Sequence, residues 1–167
     1  MQVSEVFQTA YNIAKQGRPF TDLPLDIDLQ TFNGPDLGSL LHSDHSCADI
    51  IDHIAAQMRL RLVQQILLNQ SKICVLLDEC CTYSSMTILI VCIRASFGDH
   101  EDPLTIFLDL VELPGKTAEV VLDKLSSCLE KYGFTDKYLK AYLILLVIDG
   151  ASHLVGTTSG VGTLMKE

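Results

Sequence analysis

Positive charge is scarce in this chain. Twelve Lys and Arg face twenty-one Asp and Glu among 167 residues, a formal net charge of −9. Residues 1–72 carry 5 basic and 8 acidic groups, and residues 73–167 carry 7 and 13. Neither part offers a basic face dense enough to neutralise many phosphates, which weighs against strong nucleic-acid binding by this chain alone. Metal-site spacing is also missing. The six cysteines, Cys47, Cys74, Cys80, Cys81, Cys92 and Cys128, form no CxxC and no Cys/His pair with structural-zinc spacing. No apolar run approaches the ~20 residues that cross a bilayer. The N-terminal stretch MQVSEVFQTAYNIAK is amphipathic and lacks the unbroken apolar centre of a secretory signal. These absences lead to the expectation of a soluble intracellular chain with reduced thiols.

What the chain has is a core-forming composition, 48% apolar, and a length that fits one domain with a proper core or one domain plus a helical appendage. Val3, Val6, Phe7, Ala10, Tyr11 and Ala14 recur at helical spacing and predict a first helix that Gly17 and Pro19 end. Pro19, Pro24, Gly34, Pro35 and Gly38 predict an irregular segment over 18–46, with Asp22, Asp26 and Asp28 as solvated loop charges. Ser46, with Asp49 three residues on, reads as the cap of a long helix over 47–69. The apolar face of that helix broadens at Leu60, Val63, Leu67 and Leu68, as needed to pack on a sheet. The domain reading is a helical region over 1–70 and a second region over 71–167.

The second region reads strand, strand, strand, helix, short helix or turn, strand, and the start of a last helix at 159–167. Lys72–Glu79 (KICVLLDE) is an apolar run that stops on an acidic pair. Its centre, Ile73–Leu77, has the composition of a strand covered on both faces. Met86–Ala95 and Leu104–Leu113 follow, the latter interrupted by Asp109 and Glu112. Thr117 caps a helix with Ala118, Val121, Leu122, Leu125, Leu129 and Tyr132 on one side, and Gly133 suits its C-terminus. Leu143–Ile148 is the fourth strand. Short turns favour antiparallel pairing of the first three strands, and a helical crossover favours a parallel fourth. The predicted fold is α/β. It is an incomplete ribonuclease H-like mixed sheet, with three antiparallel strands, a crossover helix and a parallel fourth strand, after an N-terminal helical region.

In that arrangement strands one and four are neighbours, and Asp78 and Asp149 lie side by side. Two close carboxylates repel unless a divalent cation sits between them, so Asp78 and Asp149 are candidate ligands for Mg²⁺ or Mn²⁺. Two metals about 4 Å apart cleave phosphodiesters, and that chemistry usually needs a third acid. Glu79, Asp109 and Glu112 are the candidates. The plain alternative is that acidic residues often end strands where the chain meets solvent. Other groups carry less. Cys80-Cys81 is a vicinal pair without a partner histidine. His42 and His45 flank Asp44 in a polar loop. His153 follows Asp149 by four residues. Gly156, Gly160 and Gly162 lack the Lys-Ser/Thr of a phosphate loop. Residues 24–30 (PLDIDLQ) mix aliphatics with acids as SUMO-interacting segments do, and a surface loop is the plainer reading.

Several blocks in one order resemble the transposase-derived domain of the hAT superfamily, in its domesticated vertebrate branch. They are VFQTAYNIAKQGRPF (6–20), NGPDLGSLLHSDHSCADIIDHIA (33–55), ICVLLDE (73–79), LIVCIR (89–94), IFLDLVELPGKTAE (106–119) and DGAS…SGV (149–161). The resemblance implies a ribonuclease H-like domain whose first two catalytic acids match Asp78 and Asp149. It also implies that the third, a glutamate beyond a helical insertion, lies past the end of this chain, as does a CxxH-type segment, and that the DNA-reading BED finger is absent. The chain then reads as a fragment or truncated form. Cys80-Cys81 stands where active members are Ser/Thr-rich, and Leu145–Ile148 is more apolar than usual. Nuclear location follows from the resemblance. So do three functional readings: a non-catalytic interaction module with nuclear protein partners, an E3 SUMO-protein ligase meeting SUMO and its conjugating enzyme, and a divalent-metal transposase or nuclease.

Overall fold

The computed structural model describes residues 2–83, 86–97, 102–115 and 117–148. The described residues divide into two compact units, one within 1–58 and one within 59–167, with the boundary inside a long helix. Asp149, His153, Gly156, Gly160, Gly162 and the helix expected at 159–167 lie outside the described residues.

In the first unit, α1 (Gln2–Lys15) buries Val6, Ala10 and Ile13. Gly17, at φ +67°, ends it. The Gly17 N–H donates to Ala14 O and the Arg18 N–H to Ile13 O, which satisfies carbonyls that the last turn leaves open. The segment expected to be irregular contains a helix, α2 (Asp22–Phe32), which buries Leu23 and Ile27. Pro24 does not prevent it. The residue falls in the first turn, where a backbone N–H has no helical acceptor and a fixed φ costs nothing. Asp22 and Asp26 are not free charges either. Arg18 Nε donates to Asp22 at 2.9 Å and both Nη groups donate to Asp26 at 2.8 and 3.0 Å. These bonds raise the Arg18 pKa, and the one to Asp26 is the largest cause. Gln30 Nε2 donates to Thr9 Oγ1 at 3.0 Å and ties α2 to α1.

The long helix α3 (Asp44–Leu68) begins three residues earlier than expected. Ser43 is its cap, with Oγ accepting the Ser46 N–H at 3.0 Å. Cys47 and Ile50 are buried in the core of the first unit, and Val63 and Ile66 in the core of the second.

The second unit is a four-stranded sheet in the order β3-β2-β1-β4. β1 (Ile73–Cys81) pairs antiparallel with β2 (Thr87–Ala95), and β2 pairs antiparallel with β3 (Leu104–Leu113). A crossover through α4 (Ala118–Lys131) and α5 (Asp136–Tyr142) brings β4 (Leu143–Ile148) back parallel to β1. This is the α/β arrangement with which a ribonuclease H-like sheet begins. Thr117 caps α4 by accepting the Val120 N–H. Gly133, at φ +91°, turns the chain out of α4 so that Phe134 becomes buried. Tyr138 Oη donates to the Ser71 carbonyl at 2.6 Å, with the Ile66 carbonyl at 3.2 Å, covering the end of α3. Burial, with the nearby Tyr142 adding to it, pushes this phenol up to about 12.

Two expectations for β1 change. It runs three residues past Asp78, because Glu79, Cys80 and Cys81 go on pairing with Leu89, Ile88 and Thr87. It is also not covered on both faces by the described residues. Ile73, Val75 and Leu77 are buried, while Cys74 and Leu76 are only partly so. The buried face joins Leu89, Val91 and Ile93 of β2 to Val121, Leu125, Cys128 and Leu129 of α4 and to Val63 and Ile66 of α3.

Candidate functional site at the open face of the sheet

Side chains alternate along a strand, so the residues between the buried ones all project to the second face. That places Cys74, Leu76, Asp78 and Cys80 of β1 beside Ile88, Ile90 and Cys92 of β2. Leu145 and Val147 of β4 pair with Cys74 and Leu76. Leu110 of β3 pairs with Ile90. The face is apolar and open: Leu110 and Leu145 are each 53% exposed and Val147 42%. A cleft of ≈ 390 Å³ lies on it, lined by Leu76, Leu77, Asp78, Ile90, Cys92, Val147 and Ile148. Asp78 is exposed to solvent in this lining. Burial pushes the Cys92 thiol pKa up, and the Asp78 charge adds to that rise.

Asp78 is therefore a carboxylate beside an apolar cleft on a central strand. Its expected companion, Asp149, lies outside the described residues, and the described β1–β4 pairing ends at Leu77 with Ile148. None of the three candidate third acids joins Asp78. Glu79 falls on the opposite face by alternation. Asp109 is turned to the helix side by a bulge in β3. Val91 opposes Asp109 and Cys92 opposes Phe107, leaving Leu108 as the extra residue. There Lys131 Nζ meets Asp109 Oδ2 at 2.8 Å and Tyr132 Oη donates to it at 3.2 Å. Burial raises the Asp109 pKa, but the Lys131 bond and charge outweigh it, so the net direction is down. Arg59 completes this network. It donates to Tyr132 Oη at 3.1 Å and lies over the Phe107 ring at 5.3 Å. Glu112 shares the open face with Asp78 but pairs with Ile88, on the far side of β2. At about 4.8 Å per strand it is roughly 10 Å or more from β1.

Among the described residues no three His, Cys, Asp or Glu side chains converge into a metal-binding group. The described part of the site supplies one carboxylate, Asp78, where a two-metal phosphodiester centre uses several. Cys80 and Cys81 are both exposed and project to opposite faces of β1. His42 Nε2 is buried without a hydrogen-bond partner among the described residues. The PLDIDLQ segment lies within α2, with Ile27 buried, so it is not the extended strand that adds to a sheet edge in recognition. The lining residues Ile90, Cys92 and Val147 were not singled out from the sequence. The signal available was the two-residue alternation of each strand, but it needed the interstrand register to join them.

No helix among the described residues is long and apolar enough to cross a membrane. The fold and site define an α/β domain with a ribonuclease H-like strand order and an open apolar face around Asp78. No model of a known protein family matches the chain, and no curated protein matches it either.

Proposed function

We propose that the chain is a domesticated, hAT-transposase-derived domain that works as a non-catalytic interaction module for nuclear proteins. The observation that carries this reading is the open face of the sheet. Leu76, Ile90, Leu110, Leu145 and Val147 form an apolar surface with Asp78 as its carboxylate. Burying such a surface stabilises a complex by roughly 25 cal/mol per Å², whereas phosphodiester cleavage needs several convergent acids. The test is recovery of nuclear-extract proteins on the wild-type chain and on Leu110→Asp and Val147→Asp variants. Specific partners retained by wild type and lost by both variants support the module. Failure to retain any partner specifically overturns it.

A second reading is favoured by Asp78 itself, a solvent-exposed carboxylate on the strand beside β4. It is a divalent-cation site for a nuclease or strand-transfer reaction, with Asp149 as the second candidate ligand from the sequence. Titration with Mg²⁺ or Mn²⁺ tests it by the resonances of Asp78 and Asp149. Unmoved signals at both overturn it.

A further inference from the structure

The first unit carries a separate surface, on a helix with two apolar sides. On one side of α2, Leu23 and Ile27 are buried at 0% and 1% exposure. Leu25, Leu29 and Phe32 stand 66%, 59% and 88% exposed. Their i, i+4, i+7 spacing, at about 100° per residue, gathers them into one stripe on the side opposite Leu23 and Ile27. A helix that only covered its own core would carry polar residues there. Acidic groups flank the stripe. Asp28 is exposed on one side, and Asp22 and Asp26 lie on the other, held by Arg18. Residues 1–58 contain two basic and eight acidic groups, a net −6. One of the two basic groups is Arg18, which is occupied by these aspartates.

We propose that α2 is a docking helix that lays Leu25, Leu29 and Phe32 into an apolar groove, rimmed by lysine or arginine, on a partner protein. The mode is an amphipathic helix read through its i, i+4 and i+7 anchors. Charge selects the partner. The net −6 of residues 1–58 repels a second copy of the same unit, and the same charge repels nucleic acid and anionic lipid. Attraction to a basic rim accelerates encounter and weakens as salt is added. This surface is distinct from the open sheet face, so the two assignments succeed or fail separately.

The experiment places a photoreactive benzophenone next to the stripe, in the full chain, as Asn33→p-benzoylphenylalanine. The labelled chain is irradiated in cell extract and the crosslinked peptides are sequenced. The expected result is crosslinks to peptides in which lysine or arginine adjoins apolar residues. Capture should fall on the order of tenfold with Phe32→Ala or Leu29→Ala, and should also fall with Asp28→Lys and with added salt. The purified captured protein should bind the wild-type chain and lose the same factor with Phe32→Ala. Thermal unfolding of the Leu29 and Phe32 variants should match wild type, because these side chains are exposed. Crosslinking to a second copy, to nucleic acid or to lipid overturns the proposal. So do capture unaffected by the stripe substitutions, no capture at all, or unfolding that shows the stripe packed on its own chain.

Discussion

The two faces of the β-sheet are built from the same kinds of residue in the same strands. On one face Val75, Leu89, Val91 and Ile93 are excluded from solvent beneath α3 and α4. On the other, Leu76, Ile90, Leu110, Leu145 and Val147 are apolar but partly or largely exposed. The sealed face holds the fold together. Among the described residues the open face lies outside the core of this unit and contributes less to stability. Polar residues mark the border between them. Asp109 is carried to the sealed side by the β3 bulge and fixed there by Lys131 and Tyr132, while Asp78 stays on the open side.

Truncation on the sealed face should have the largest effect. Leu125→Ala leaves a cavity under the sheet and should cost about 2–5 kcal/mol in chemical denaturation. Leu110→Ser or Leu145→Ser on the open face should cost less than about 0.5 kcal/mol. Equal losses would break the distinction between the faces. Thiol labelling sharpens it next. Burial pushes Cys128 up to about 11, with the Asp109 charge adding to it, whereas Cys80 and Cys81 are exposed. Alkylation at pH 8 followed by peptide mapping should find Cys128 about a hundredfold or more slower than Cys80 and Cys81.

A smaller effect is expected where the chain leaves α4. At Gly133 an added Cβ would meet Leu67 Cδ1 at 3.0 Å, on a backbone with φ +91°. Gly133→Ala should cost about 1–2 kcal/mol, read by thermal unfolding. The smallest concerns Asp109. Its folded pKa is lowered, so its contribution is present above the unfolded value near ~3.9 and is lost as pH falls through the folded value. Asp109→Asn should remove that acid-side loss, which stability curves between about pH 2 and pH 5 would measure at about 1 kcal/mol or less.

The fold was legible where a local rule sufficed. The alternation and turn chemistry of 73–113 locate three strands, and the Thr117 cap, the apolar stripe and Gly133 locate α4. Reading failed at α2, where five helix-breaking residues spread over 18–46 hid an eleven-residue helix. Proline breaks a helix from inside, but Pro24 sits in the first turn, and only the helix boundaries reveal that. The start of α3 was misplaced because two serines three residues apart compete for the cap, and the bond from the Ser46 N–H to Ser43 decides between them. For the candidate site, Asp78 was legible as the acid of a central strand. That Asp109 belongs to the other face was not, since a one-residue bulge reverses strand parity without changing composition.

The amino-acid sequence by itself determined the α/β class, the order of strands and helices in 73–148, the acidic balance, and the prominence of Asp78. Those follow from periodicity, turn residues and charge, which act within a few residues. Only the tertiary structure decided which strand faces are sealed, that Glu79 and Asp109 point away from Asp78, and that α2 turns a second apolar stripe outward. Each of these depends on register and packing between segments distant in the chain. A shift of one residue there moves a side chain from core to solvent and leaves the local pattern unchanged.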